Sequence, residues 1–322
     1  MPGNPLDEGT VSRELGGLWG HLMAADTEAA AGGHGTAATL IGFSAILLWS
    51  MLALLTAASG RVPPFQLAAM TFAIGGGLGA LTWLFRPRAL RALRQPPEVW
   101  ALGITGLFGY HALYFFALRF APPAEAGLIN YLWPLLIVLF SSFLPGERLR
   151  WYHIAGAVLG LVGTIVLIAG RAEIGFASEF VPGYAAAFVA AFVWAFYSVL
   201  SRRFAAVPTD AVVGFCLVTA MLGALFHLLL ETTVWPDSTA QWLAVLGLGL
   251  GPVGAAFYAW DFGVKRGDIR VLGAASYAAP VLSTLFLVLA GFAEPRWTLA
   301  LAAALIAVGG LLAAKDMLTR SR

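Results

Sequence analysis

Long apolar runs dominate this sequence and limit what the chain can fold into. Ten such runs, separated by short segments rich in proline, glycine and charge, follow one another between residues 36 and 315. A helix needs about 20 mostly apolar residues to cross the hydrocarbon core of a bilayer, and several runs have about this length. Only 11% of the residues are charged, against about 25% in an average soluble domain. The sequence therefore predicts an all-α, polytopic membrane protein.

The bounds of the spans follow from the apolar runs and from the residues that break helices. We predict ten transmembrane helices at 36–58, 64–85, 98–118, 122–144, 151–169, 180–202, 210–230, 241–264, 269–291 and 297–315. Residues 1–35 are small and polar, carry five acids, and lack the basic start and apolar core of a signal peptide. We interpret them as a mostly disordered cytoplasmic tail.

Lysine and arginine residues set the expected orientation, because cytoplasmic loops of membrane proteins carry an excess of them. With the N-terminus inside, fifteen of the nineteen basic residues fall in cytoplasmic segments. The four in outer loops are Arg61, Arg119, Arg171 and Arg296. This distribution predicts that both termini are cytoplasmic, and it supports an even number of spans.

The second half of the chain repeats the first with an offset of 146 residues. Pro134 aligns with Pro280, and Tyr131 aligns with Tyr277. Further aligned pairs are Gly127 and Gly273, Phe116 and Phe262, and Trp151 and Trp297. We therefore divide the membrane region into one repeat at 36–169 and another at 180–315. Because each copy has five spans, an odd number, the two copies cross the membrane in opposite directions.

Inverted repeats are typical of secondary transporters, which bind their substrate near the bilayer midplane between the two copies. We predict such a fold around a central cavity. The chain has no nucleotide-binding loop, no HExxH motif and no plausible nucleophile triad. We therefore expect no enzymatic activity, no cofactor, no metal and no nucleic-acid partner. The expected partners are a small-molecule substrate and the lipid bilayer.

Pro134 and Pro280 lie near the middle of their spans, where each removes one backbone hydrogen bond. Each would free the carbonyl four residues back, on Asn130 and Ser276. Free carbonyls at this depth must face protein or a water-filled cavity. The prolines are interpreted either as packing kinks or as a matched pair that lines a cavity. As a pair, with Gly127 and Gly273, they would act as flexible points for gating.

Aromatic and polar residues are numerous at the same depth. Tyrosine and tryptophan usually lie at the bilayer interfaces, so deep ones indicate a binding site. The predicted substrate-binding residues are Tyr110, His111, Tyr114, Asn130, Tyr131, Trp133, Trp194, Tyr197, Tyr258, Trp260, Ser276 and Tyr277. No lysine or arginine lies in the central part of any span, so the site suits an uncharged or zwitterionic molecule with apolar bulk.

Few ionisable residues lie within the spans, and each is costly in a bilayer. His111 is placed to bind substrate, to carry a proton, or to bond as a neutral ring to a neighbouring helix. Asp261 is placed to pair with Lys265, four residues later on the same helix. His227 lies near the end of its span and is interpreted as structural.

The run APPAEAGLINYLWPLLIVLFSSFLPGERLRWYHIAGAVLGLVGTIVL and its counterpart ASYAAPVLSTLFLVLAGFAEPRW resemble the EamA group of the drug/metabolite transporter superfamily. Within that group, the motif NYLWP is similar to the YddG-type aromatic amino-acid exporters. The resemblance covers residues 36–316. It implies a bacterial inner-membrane exporter of amino acids or related metabolites.

The function that we predict is alternating-access export of neutral and aromatic amino acids or related metabolites from the cytoplasm to the periplasm. A multidrug exporter for amphipathic compounds is the first alternative, and a channel or lipid-handling protein is the second. Either facilitated diffusion or proton antiport agrees with the sequence.

Overall fold

The protein is described by a computed structural model over residues 35–172, 174–291 and 293–320. The predicted disordered tail therefore lies outside the described residues, apart from Gly35. Ten long helices follow in order: α1 (Gly35–Ala58), α2 (Pro64–Leu84), α3 (Pro97–Phe120), α4 (Pro123–Phe143), α5 (Trp151–Ala169), α6 (Ser178–Arg203), α7 (Ala211–Leu230), α8 (Thr239–Arg266), α9 (Ile269–Leu289) and α10 (Trp297–Ala313). A short helix, α11 (Lys315–Arg320), follows α10.

Nine of the described helices are long and apolar enough to span a membrane. The tenth, α10, is apolar but has only 17 residues. The predicted all-α fold of ten helices is thus confirmed, and most predicted bounds agree with the observed ones to within two residues. The predicted division into two repeat domains stays a prediction.

The two ends of the bundle differ in charge. One end holds the segments that join α2 to α3, α4 to α5, α6 to α7 and α8 to α9, together with α11. Ion pairs connect these segments, for example Arg86 to Asp210 and Arg150 to Asp316. We call this the basic end, because the other end carries only Arg61, Arg119, Arg171 and Arg296 among the described lysines and arginines.

Helices α5 and α10 approach each other so closely that glycine is required between them. A Cβ atom on Gly309 would lie 2.5 Å from the carbonyl oxygen of Gly156, and one on Gly156 would lie 2.4 Å from that of Gly309. Small residues of this kind allow backbone contact, which drives helix association in a membrane.

Replacing Gly309 with alanine is expected to lower the stability of the protein by about 1–3 kcal/mol, because the methyl group forces the two helices apart. Gly310 is the matched control, since a Cβ atom there meets nothing within 4 Å. Gly310→Ala should therefore leave the melting temperature in detergent unchanged or slightly raised. Equal melting temperatures for the two variants would contradict this account of the contact.

Helices α4 and α9 are both interrupted just before their central proline. In α4 the helix stops at Asn130 and resumes at Trp133, and in α9 it stops at Ala275 and resumes at Ala278. The break in α9 differs from the prediction in one respect. The Ser276 carbonyl is not free, because the amide of Ala279 donates to it at 3.1 Å. The backbone closes a tighter turn there and recovers the hydrogen bond.

Helices α3 and α8 each contain a π-helical segment that the sequence did not predict. These segments are Thr105–Gly109 and Gly251–Ala255, and they are separated by the same 146-residue offset as the two prolines. A π-helical turn accommodates one extra residue and is frequent at functional sites. The repeat therefore extends to an irregularity of the backbone.

Candidate functional site

Four tryptophans meet at the centre of the bundle. Trp49 of α1, Trp133 of α4, Trp194 of α6 and Trp260 of α8 lie with all six pairs of ring centroids between 5.1 and 6.4 Å apart. Most of the rings meet edge to face, the geometry that aromatic pairs prefer. We call these four residues the tryptophan cluster. It brings both halves of the chain to one place, where the sequence predicts a cavity.

Two indole nitrogens of the cluster donate hydrogen bonds to groups beside it. Trp260 is fully buried and its Nε1 donates to Ser198 Oγ at 3.0 Å. Trp49 is half-buried and its Nε1 donates to the carbonyl of Pro252 at 3.0 Å. These bonds fix the orientation of the rings and leave their faces as the main surface for a ligand.

A second group of rings adjoins the cluster on the side of α2 and α3. The Tyr110 ring lies 5.3 Å from that of Trp194. The His111 ring lies 5.2 Å from that of Phe72 and 6.1 Å from that of Phe257. The imidazole is thus enclosed by aromatic faces.

The two π-helical segments each accept a hydrogen bond from a side chain of this centre. The His111 Nδ1 atom lies 2.6 Å from the carbonyl oxygen of Leu107, within Thr105–Gly109. Pro252, which accepts from Trp49, lies within the segment of α8. Since a carbonyl accepts, Nδ1 carries the hydrogen, and Nε2 of the neutral ring is an acceptor. His111 is bonded to its own helix rather than to a neighbouring one.

Asn130 places a side-chain amide against the Tyr110 ring of this centre. Its Nδ2 donates to the hydroxyl of Tyr110 at 3.0 Å, and only 4% of the residue is exposed. Its Oδ1 is buried without a hydrogen-bond partner in the structure. An unsatisfied buried acceptor costs about 1–3 kcal/mol. Such an atom, next to a neutral aromatic surface, is suited to accept a hydrogen bond from a ligand.

Several predicted site residues lie at the margin of this centre. The Tyr114 ring stacks on Tyr110 with centroids 6.0 Å apart, and the Tyr197 ring lies 5.3 Å from Trp194. Tyr131 is half-buried in the break of α4. These residues extend the centre along α3, α4 and α6.

Three predicted site residues have structural contacts away from the cluster. The Tyr258 hydroxyl donates to the carbonyl of Gly75 on α2 at 3.1 Å. Tyr277 is fully buried with its ring against Gly160 of α5. The Ser276 hydroxyl donates to the carbonyl of Leu272 at 2.7 Å. We leave these three out of the site that we propose, because their side chains are occupied by helix packing.

Sequence reasoning did not select Trp49, Phe72 or Phe257 as site residues. For two of these residues, the internal repeat in the sequence could have indicated their position. Phe257 follows His111 by 146 residues and is its repeat equivalent, and Trp49 precedes Trp194 by 145 residues, one residue from the equivalent position. Phe72 has no comparable sequence signal.

The basic end is closed by a network of ion pairs that joins the two halves of the chain. Glu147 lies between α4 and α5, where Gly146 has a φ of 81°, a left-handed conformation that favours glycine. The Glu147 carboxylate is 2.8 Å from the guanidinium of Arg202 and 3.4 Å from that of Arg270. Arg202 also donates to the carbonyl of Val264 at 3.0 Å. The carboxylate thus joins α6 to α9, and Arg202 joins both to α8.

Asp268 orders the start of α9 next to this network. Its Oδ1 accepts from the amide of Arg270 at 3.0 Å, and its Oδ2 is 2.7 Å from the Arg270 guanidinium. Burial alone would raise the pKa of Asp268, but the hydrogen bonds and charge of Arg270 outweigh burial and lower the pKa below its usual value. Asp268 therefore keeps its charge at neutral pH and holds Arg270 towards Glu147.

The packing of the gating glycines differs between the two ends. A Cβ atom on Gly273 would lie 3.0–3.2 Å from Val138, Ile137 and the carbonyl of Pro134 on α4. A Cβ atom on the equivalent Gly127 would meet only the hydroxyl of Tyr114, at 3.7 Å. The broken helices are therefore in tight contact on the basic side of the cluster and loosely packed on the other.

These observations define a small-molecule carrier of the membrane, with broken helices and an aromatic centre shared between two halves. The comparison with known families gives the particular group. The chain belongs to the EamA-like transporter family, whose family model matches residues 36–169 and again 181–314.

Individual relatives agree with this assignment. The chain is 63% identical over 279 residues to the aromatic amino acid exporter YddG of Ancylobacter novellus, covering 86% of this chain and 97% of that protein. It is 29% identical over 260 residues to the aromatic amino acid exporter YddG of Escherichia coli, covering 77% and 86%. A crystal structure that is 61% identical superposes with a TM-score of 0.84, over 89% of this chain and 99% of that one.

Proposed function

We propose that this protein exports neutral amino acids, aromatic ones included, by alternating access across a bacterial inner membrane. The observation that carries the proposal is the tryptophan cluster together with Asn130: a neutral aromatic surface and a buried amide oxygen without a hydrogen-bond partner. The relatives that are named aromatic amino acid exporters support the same substrate class. The positive-inside rule supports a cytoplasmic basic end and cytoplasmic termini.

The site offers complementary groups for both parts of such a substrate. Aromatic faces attract an ammonium group and also stack with an aromatic side chain. Asn130 Oδ1 accepts a hydrogen bond from the ammonium, and His111 Nε2 is a second acceptor nearby. Inserting the side chain between the tryptophan rings requires the cluster to open, because Trp133, Trp194 and Trp260 are at most 6% exposed as they stand.

The broken helices supply the movement that alternating access needs. With the basic end in the cytoplasm, the tight contact at Gly273 and the Glu147 network describe an outward-facing state. The inward-facing state would exchange this contact for one at Gly127, the equivalent position in the other copy. In this proposal Pro134 and Pro280 maintain a flexible break in each helix at the level of the substrate.

Transport by purified protein in proteoliposomes tests the proposal. We expect saturable flux of labelled phenylalanine, reduced by excess unlabelled phenylalanine or methionine and unaffected by excess arginine, whose extra charge the neutral site does not match. Flux that rises linearly with concentration and has no competitors would indicate a channel. Competition by amphipathic drugs but not by amino acids would indicate a multidrug exporter.

A further inference from the structure

A buried ion pair lies between the tryptophan cluster and the basic end. Asp261 directly follows Trp260, and Lys265 is one helical turn further on. The Lys265 Nζ atom is 2.8 Å from Asp261 Oδ1, and the side chains are only 4% and 2% exposed. Both residues are on α8, so the pair is local to one helix and joins no two helices.

Stability alone does not account for this pair. Removing two charges from water costs several kcal/mol per ion, and replacing a buried pair with apolar residues is often neutral or stabilising. Ionisable groups within membrane spans are rare, and they mark substrate or ion pathways. A pair that is costly and local to one helix is therefore expected to act on something else.

The segment between α6 and α7 shows what the pair is able to bind. The hydroxyl of Thr209 donates to Asp261 Oδ2 at 2.8 Å, and the carbonyl of Val207 accepts from Lys265 Nζ at 3.0 Å. The segment thus presents one donor to the carboxylate and one acceptor to the ammonium. The backbone of a free amino acid presents the same combination in charged form, with its ammonium and its carboxylate.

We propose that Asp261 and Lys265 form the first binding site for a zwitterionic substrate arriving from the basic end. The substrate ammonium replaces the Thr209 hydroxyl on Asp261, and the substrate carboxylate replaces the Val207 carbonyl on Lys265. The inference rests on the proposed function, and it adds a second site with its own selectivity for the charged part of the substrate.

The surroundings of the pair connect it to the centre. A small cavity beside it is lined by α3, α6 and α7 residues, among them Gly103, Tyr197 and Phe215. The Tyr197 ring in turn lies 5.3 Å from that of Trp194. A substrate held by the pair would therefore have its side chain directed along α6 towards the tryptophan cluster.

Competition by analogues that lack one charge tests the site. Inside-out membrane vesicles expose the basic end, and uptake of labelled phenylalanine is measured against unlabelled phenylalanine, phenethylamine and 3-phenylpropionate. In the wild type, each analogue should compete at least about fivefold less well than phenylalanine. Lys265→Met should remove the advantage of phenylalanine over phenethylamine. Asp261→Asn should reduce its advantage over 3-phenylpropionate to the part that Asn130 supplies at the centre.

Two further variants separate binding from folding. The double variant Asp261→Asn/Lys265→Met leaves no lone buried charge. It should lose the preference over phenethylamine and show a reduced preference over 3-phenylpropionate, while keeping its melting temperature. Arg86→Gln breaks an exposed ion pair at the same end and should keep both preferences. If the Asp261 and Lys265 variants changed the apparent affinity for all three compounds by the same factor, the first binding site would be overturned, but the proposed function would not. Absence of saturable phenylalanine uptake by the wild type would instead overturn the proposed function.

Discussion

Replacing Asn130 with leucine should remove most transport activity without destabilising the protein. Leucine has nearly the shape of asparagine but neither its donor nor its acceptor. Since Oδ1 is buried without a partner, the folded protein loses an unfavourable group, although the Tyr110 hydroxyl also loses the donor at 3.0 Å. The two effects on stability oppose each other, so we expect a change within about 1 kcal/mol.

The loss of the Asn130 side chain can only weaken substrate binding. A hydrogen bond to a charged group contributes about 1.5–3 kcal/mol, which corresponds to a roughly 10- to 100-fold rise in KM. Flux of labelled phenylalanine in proteoliposomes and the melting temperature in detergent measure the two effects on the same preparation.

Ser141→Ala is the matched control for the Asn130 variant. Ser141 is a buried polar residue near the end of the same helix, but its hydroxyl already donates to the carbonyl of Val138 at 2.6 Å. This variant should transport with an unchanged KM. A leucine at position 130 that leaves the KM unchanged would show that the asparagine oxygen does not contact the substrate.

Replacing Glu147 with glutamine should shift the protein towards the state that is open at the basic end. The carboxylate holds two arginines from the other half of the chain, at 2.8 and 3.4 Å. Its equivalent at the opposite end, 146 residues on, is Ala293, and the equivalent of Arg270 is Ala124. The Glu147–Arg270 pair therefore has no counterpart at these two positions of the opposite end, and the neutral variant weakens closure of the basic end.

Accessibility of an introduced cysteine measures the shift. Ser201 lines the small cavity at the basic end and is 4% exposed, so a cysteine there is protected while that end is closed. In a Cys216→Ala background, Ser201→Cys should react with an impermeant maleimide about tenfold faster when Glu147→Gln is added. The factor corresponds to about 1.4 kcal/mol, close to the lower limit of about 1.5 kcal/mol for a hydrogen bond to a charged group.

Asp210→Asn serves as the control for the Glu147 variant. The Asp210 pair with Arg86 also joins the two halves at the basic end, but its side chains are 28% and 56% exposed. Exposed ion pairs contribute little, so the rate of cysteine modification should not change. The same rate in the Glu147 and Asp210 variants would mean that contacts other than the carboxylate keep the end closed.

Hydrophobicity and repeats allowed much of the architecture to be predicted from the sequence. Apolar runs give the ten helices, and the proline pair gives the breaks in α4 and α9, because both depend on the chain's local chemistry. The pairing of Asp261 with Lys265 was also predicted, since residues four apart on a helix are neighbours.

Contacts between distant segments were harder to predict. Tyr258 and Tyr277 were selected for their depth, but which face a helix presents to the centre depends on how its neighbours pack. The π-helical segments change, partway along a helix, which face is directed to the centre. No residue type in the sequence predicts such a segment. The Glu147 network depends on three chain segments that only the folded bundle brings together.

The position of the π-helical segments also bears on the history of the chain. One extra residue turns all that follows by about 100° around the helix axis. An insertion in only one copy would have misdirected the second half of that helix alone. Its occurrence at matching places, 146 residues apart, is most simply explained by an insertion in an ancestral five-helix gene before it was duplicated. The bulge would then be older than the protein's two-fold architecture.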